Sequence, residues 1–178
     1  NEPWPGGVAA DPAGLGFRLR DVGVRAGVAD ANAGMGIAAA DYDGNGLLDV
    51  FLTGGGSFEG PDRKRIAGHP CKLFKNLGDW KFRDVTREVG LDTVGGQPWF
   101  YTHGAAVADY DNDGWQDLFT ANSHVNDVVE KLEAFRYLEP NSIFRNRGDG
   151  TFADDSTSFT AAVRAHRGVV LADFDNDG

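Results

Sequence analysis

The chain holds a single cysteine, Cys71, in 178 residues. No internal disulfide can form, so any covalent staple is excluded. Cys71 reads as a small buried thiol, or as the attachment point of a bridge to another molecule. No apolar run approaches the length of a membrane span. No leader is present and the chain starts at Asn1, which fits a processed, exported protein. Basic residues are scarce, 17 Lys and Arg against 27 Asp and Glu, for a net charge of −10. There is no basic stripe with interleaved aromatics, and that balance opposes nucleic-acid binding. Catalytic signatures are missing as well. The sequence has no Gly-x-Ser-x-Gly elbow, no Cys-x-x-Cys, no His-Glu-x-x-His, no P-loop and no dinucleotide fingerprint. The four histidines, His69, His103, His124 and His166, are scattered. His103 and His166 precede corresponding segments, which repeat register explains better than a second metal site. The expectation is a protein that is not an enzyme.

What the chain does have is one acidic pattern three times. It runs Asp41-Tyr42-Asp43-Gly44-Asn45-Gly46-Leu47-Leu48-Asp49, then Asp109-Tyr110-Asp111-Asn112-Asp113-Gly114-Trp115-Gln116-Asp117, then Asp173-Phe174-Asp175-Asn176-Asp177-Gly178. Oxygen side chains fall at positions 1, 3, 5 and 9, with Gly at 6, where a tight loop needs a backbone that side chains resist. Hard oxygens at this density suit Ca²⁺ better than zinc or copper. The expected ligands are Asp41, Asp43, Asn45, the Leu47 carbonyl and Asp49 in loop one. In loop two they are Asp109, Asp111, Asp113, the Trp115 carbonyl and Asp117. Position 7 is expected to offer only its carbonyl, so the identity of its side chain is free. Loop three offers Asp173, Asp175 and Asp177 and needs further ligands from outside residues 1–178. An EF-hand would place a bidentate Glu at position 12, where this chain has Leu52 and Thr120. The flanks also argue against helices. Ile37–Ala40, Ala105–Ala108 and Val169–Ala172 lead in, and Val50–Thr53 and Leu118–Thr120 lead out. These are short and apolar, as strands are, so each loop reads as the turn of a β-hairpin. The three loops carry ten Asp carboxylates (three, four and three), equal to the whole net negative charge. Without a cation those like charges strain each hairpin.

A second unit alternates with the first. Leu73-Phe74-Lys75-Asn76-Leu77-Gly78-Asp79 continues to Phe82-Arg83-Asp84-Val85-Thr86. It matches Ile143-Phe144-Arg145-Asn146-Arg147-Gly148-Asp149 with Phe152-Ala153-Asp154-Asp155-Ser156. Each is a strand, a Gly-Asp turn and a strand. Residues Phe17–Val22 look like the tail of the same unit. The acidic loops start 68 and then 64 residues apart, so one repeat holds about four strands, the content of a propeller blade.

These residues carry a family resemblance. The acidic loop after a small-residue strand, with the aromatic-x-Asn-x-Gly-Asp hairpin, resembles the FG-GAP/VCBS repeats of integrin α-subunit propellers and secreted bacterial proteins. Ala121-Asn122-Ser123-His124-Val125, Tyr137–Asn146 and Arg167-Gly168 bring it nearer the cartilage-acidic-protein, or ASPIC/UnbV, group. The resemblance covers about residues 15–178. It implies an all-β fold of propeller-type blades with four antiparallel strands each, about two and a half repeats, and calcium in the blade hairpins. Residues 1–14 read as an extended arm, and 15–178 as an incomplete propeller that stops inside the third loop.

Two segments break the repeat. Gly54–Pro70 reads as a long surface loop with Arg63-Lys64-Arg65 as a local basic contact. Val125–Leu138 has apolar residues at helical spacing and reads as a short amphipathic helix. The tripeptide Arg147-Gly148-Asp149 falls on a hairpin turn and is explained by it. The function expected is a calcium-binding extracellular structural or adhesion module, secreted or at the cell surface. Completion of the third loop by a neighbouring copy would give a homo-oligomer or head-to-tail filament; the plainer account is a piece of a longer chain. One alternative is a propeller segment binding carbohydrate or protein through Trp99, Phe100 and Tyr101. The other is a non-catalytic part of a larger secreted enzyme.

Overall fold

Strands form where the sequence offers short apolar runs bounded by glycine- and aspartate-rich turns. The computed structural model describes residues 22–30, 34–62, 65–96, 99, 101–123, 140–157 and 166–172. The arm at 1–14, the expected helix at Val125–Leu138 and the third loop lie outside them. The described chain is almost wholly β. Strands β1 (Ile37–Ala40), β2 (Asp49–Leu52), β5 (Lys72–Asn76) and β6 (Phe82–Asp84) form one antiparallel sheet in the order β1-β2-β5-β6. Strands β7 (Thr102–Ala108), β8 (Asp117–Asn122), β9 (Ser142–Asn146) and β10 (Phe152–Asp154) form a second, also with neighbours in chain order. Both are four-stranded antiparallel blades, as the repeat implied. The acidic loops join β1 to β2 and β7 to β8, with Ala40 opposite Asp49 and Ala108 opposite Asp117. Loop positions 1 and 9 are therefore brought together by the first rungs of each ladder.

Three expectations need correction. Gly54–Pro70 is not a plain loop: β3 (Gly56–Glu59) and β4 (Arg65–Gly68) make an antiparallel hairpin of their own. The glycines disguise it, because Gly56 sits where an added methyl would come within 2.5 Å of the Ala67 carbonyl oxygen and 2.6 Å of the Tyr101 ring. Strand β7 begins at Thr102, three residues before the apolar run, and bends between Thr102 and Gly104. Val169–Ala172, expected as a strand, is irregular.

The core lies between the two sheets. Tyr42, Phe51 and Leu73 from the first pack with Leu118, Phe144 and Phe152 from the second. Trp99 is wedged between them, with ring centroids 6.3 Å from Phe51 and 5.3 Å from Phe144, and its indole N–H donates to the Leu91 carbonyl at 3.0 Å. Each such fully buried aromatic contributes roughly 1.5–3 kcal/mol. At the inner edge the blades touch backbone to backbone. A methyl on Gly36 would meet the His103 carbonyl oxygen at 2.4 Å, and one on Gly104 would meet that of Arg167 at 2.9 Å. Gly36 and Gly104 are equivalent in the repeat, so the same glycine makes the same approach twice.

One feature was anticipated only in part. Residues 22–28, including helix α1 (Gly23–Ala26), repeat the exit turn at 85–91. Ala26 N–H donates to the Val22 carbonyl and Val28 N–H to that of Gly23, as Val89 does to Val85 and Leu91 to Thr86. Gly27 (φ 82°) faces the Phe82 carbonyl as Gly90 (φ 83°) faces that of Phe152. Residues 22–28 thus lie on the first blade as the exit turn of the first blade lies on the second.

Candidate metal centres

In both loops the first aspartate is used to fold the turn. Asp41 accepts from the Asn45 N–H at 3.0 Å and the Gly46 N–H at 2.7 Å. Asp109 accepts from Asp113 at 3.0 Å and Gly114 at 2.8 Å. Position 5 then binds the amide of position 7: Leu47 N–H to Asn45 Oδ1 at 2.8 Å, and Trp115 N–H to Asp113 Oδ1 at 2.9 Å. Gly46 and Gly114 hold φ of 83° and 92°, the left-handed conformation the loop requires. The two loops have the same hydrogen-bond diagram although they differ at four of their nine positions.

The last aspartate comes from the sheet. Asp49 is 1% exposed and Asp117 2%. Asp49 accepts from the Tyr42 N–H at 3.2 Å and the Asn76 N–H at 2.7 Å. Asp117 accepts from Tyr110 at 3.1 Å and Asn146 at 2.7 Å. Burial raises both carboxyls above their ordinary value, and Asp43 and Asp41 add to the rise at Asp49, Asp111 and Asp113 at Asp117. The backbone donors act against that rise without cancelling it.

Positions 1, 3 and 9 converge. Asp41, Asp43 and Asp49 each offer a carboxylate oxygen within 4.8 Å of the other two, and so do Asp109, Asp111 and Asp117. Either cluster could hold a metal ion. The donor sets fit a hard cation. One observation goes further: Asp43 Oδ1 is buried and has no hydrogen-bond partner, a costly state for a carboxylate oxygen that a cation would relieve. Asp113 is not among the converging acids of loop two, and Asn45 and Asp113 both face the amide of position 7. The Trp115 side chain packs against both neighbouring turns. A methyl on Gly44 would come within 3.2 Å of its ring and one on Gly148 within 2.6 Å of its Nε1, so the indole fills the space between the first loop and the β9–β10 turn.

Sequence reasoning missed two pairs of residues. Lys75 forms an ion pair with Asp43, and Arg145 Nη1 lies 3.8 Å from Asp111 Oδ2. Each is the third residue of its Leu/Ile-Phe-Lys/Arg-Asn strand and partly neutralises position 3. Asn76 and Asn146 bind the loops through both backbone and side chain: Asn76 Nδ2 donates to the Leu48 carbonyl at 2.9 Å, and Asn146 Nδ2 to that of Gln116 at 3.1 Å. The signal was the Asn recurring at the same place in both hairpins. Trp99 and Tyr101 do not offer a stacking face, since they are 4% and 8% exposed; Phe100 lies outside the described residues. His103 stacks on Tyr101 at 5.2 Å, and among the described residues no cluster of ligating side chains includes a histidine. Among them, too, no helix is long and apolar enough to cross a membrane.

Repeated strand–acidic loop–strand units stand on both four-stranded sheets, and in a comparison with known families residues 127–178 match the model of the FG-GAP-like repeat. Over most of its length the chain is similar to cartilage acidic protein 1. The human protein is 31% identical over 163 residues, which is 89% of this chain and 21% of the relative. The Xenopus tropicalis protein is 28% identical over 160 residues, 89% of this chain and 22% of the relative. The mouse protein is 31% identical over 165 residues, with the same two shares. The chain spans about a fifth of the length of these curated relatives.

Proposed function

We propose that the chain is a calcium-binding repeat module of the extracellular space, in which the ion completes each blade hairpin and the module binds or supports rather than catalyses. The observation that carries the calcium reading is the pair of convergent carboxylate triads with identical loop wiring, one holding a buried oxygen without a partner. Carboxylate, amide and carbonyl oxygens in a flexible loop favour Ca²⁺ over the smaller Mg²⁺, which demands stricter octahedral geometry. Similarity to relatives named for cartilage and acidity supports an extracellular setting.

Titration calorimetry of chain stripped with chelator tests the reading. Calcium is expected to bind with dissociation constants between about 10⁻⁵ and 10⁻³ M, to raise the melting temperature, and to outcompete equimolar Mg²⁺. Absence of calcium binding at millimolar concentration would refute it. Assembly through the third loop is a separate expectation, read by light scattering. Assemblies that dissolve on chelation support it, and a calcium-independent monomer refutes it.

A further inference from the structure

The two candidate metal loops are wired to each other, and the wire is one buried side chain. Asn146 is 0% exposed, and its backbone N–H and both polar atoms of its side chain are hydrogen-bonded. Its backbone N–H donates to Asp117 Oδ1 at 2.7 Å, and its Oδ1 accepts from the Gly148 N–H at 3.0 Å. Its Nδ2 donates to the Gln116 carbonyl at 3.1 Å and, across the gap between blades, to the Tyr42 carbonyl at 2.8 Å. Tyr42 lies between Asp41 and Asp43, and its own N–H donates to Asp49 Oδ2 at 3.2 Å. A continuous path therefore runs from the last carboxylate of loop one through the Tyr42 peptide groups, the Asn146 side chain and the Asn146 backbone N–H to the last carboxylate of loop two. Both carboxylates also line one cavity of about 20 Å³ between the sheets, room for a single water. On the surface side the Trp115 ring, from loop two, covers Gly44 of loop one.

Asn76 is the internal comparison. It occupies the same place in the first blade and makes the same bonds to its own loop and turn, yet it is only partly buried. Asn146 adds to that set a bond to the neighbouring blade.

Resting on the calcium reading above, we propose that Asn146 is a positioning residue that couples the two loops, so that a cation in one loop raises the affinity of the other. A cation drawing Asp41, Asp43 and Asp49 together fixes the peptide groups of Tyr42. That fixes the Asn146 side chain, and with it the Gln116 carbonyl it also binds and the Asn146 backbone N–H that donates to Asp117. The second loop then binds with part of its ordering already done, and ordering that need not be repeated appears as positive coupling. Linkage makes the effect reciprocal. Direct repulsion between two dications would have the opposite sign and would weaken with added salt.

The test is a cycle of calcium titrations on the whole chain. Asp111→Asn disables loop two and Asp43→Asn disables loop one. Calcium affinity of loop one is expected to fall about fivefold or more when loop two is disabled, the lower end of common allosteric coupling. In an Asn146→Ala background the same Asp111→Asn change should leave loop one unaltered, while Asn76→Ala should preserve the coupling. A readout that needs no Asn146 variant is amide hydrogen exchange in the Asp43→Asn chain. Calcium held only in loop two should slow exchange at Asn45 and Gly46. Two independent sites, or negative coupling, would overturn the proposal while leaving the calcium reading intact. No binding to the unaltered chain would overturn the calcium reading, and the coupling with it.

Discussion

Asp43→Asn separates a metal ligand from a structural residue because the two roles give opposite signs under two conditions. Without cation, Asp43 Oδ1 is buried and unpartnered, a state that costs about 1–3 kcal/mol. Its other oxygen pairs with Lys75, whose side chain is 31% exposed, and a pair that open to solvent contributes about 0.2–1 kcal/mol. Replacing the carboxylate by an amide removes the charge that cannot be satisfied and loses the weak pair. The net result is a change between about zero and 3 kcal/mol in favour of the variant. For a chain of this size that is a melting temperature unchanged or higher by up to about 12 °C. In calcium the account reverses. A site filled at one hundred times its dissociation constant adds about 2.7 kcal/mol, and the variant forfeits most of it. Thermal melts in chelator and in saturating calcium should therefore cross, with the variant equal or better in the first and worse in the second. A variant less stable by the same amount in both would show Asp43 to be a packing residue and sink the ligand assignment.

Three further outcomes follow from the same geometry. Gly36→Ala should destabilise by about 1–3 kcal/mol, because its methyl meets backbone that cannot rotate away, whereas Gly168→Ala, with nothing within 4 Å, should be neutral; equal effects in urea melts would refute the close blade approach. Burial raises the carboxyls of Asp49 and Asp117, so without cation the folded chain holds their protons to higher pH than the unfolded chain does. Their contribution to stability should thus fall as pH rises from the ordinary 3.8 through the raised folded values, and calcium should reverse that slope in melts followed by circular dichroism; a stability that climbs with pH in chelator would contradict it. Cys71 is 0% exposed and burial pushes its thiol up to about 12, so an aromatic disulfide reagent should label it only on unfolding, and stoichiometric labelling of the native chain would refute its burial.

The hairpins were legible because their turns are written in residues that do little else. Asp-x-Asp-x-Asp/Asn-Gly between short apolar runs fixes both the loop and the two strands beside it, and position 9 pairs with the residue before position 1 in each ladder. The β3–β4 hairpin was illegible for the converse reason. Its glycines usually mean a loop, but Gly56 is there because backbone and the Tyr101 ring stand where a side chain would go. The exit turn at 22–28 was half visible, since Arg-Asp-Val recurs at 20–22 and 83–85, while the capping bonds that define it depend on tertiary contact. Trp115 shows the limit at the site itself. Loop position 7 is neutral as a rule about ligands, and nothing in a single loop reveals that a neighbouring loop lies beneath the ring.

The same limit explains why Asn76 and Asn146 escaped notice as parts of a metal centre. An Asn before a Gly-Asp turn is sufficiently accounted for by the turn: its Oδ1 binds the Gly78 or Gly148 amide. Its second use appears only when the sheet places that turn beside the acidic loop of the preceding hairpin. There the Asn backbone supplies Asp49 and Asp117 with the donors that hold them ionisable inside the core. A buried carboxylate without those donors would be expected to keep its proton and lose its worth as a ligand. The last ligand of each candidate site is therefore set by a strand that contributes no ligand of its own. It follows that the loop sequence alone is not the binding unit. The unit is the loop with the next hairpin, and a peptide of residues 41–49 should bind calcium far more weakly than the folded chain. A peptide that matched the chain in calorimetry would show that the β5 hairpin is dispensable to the site.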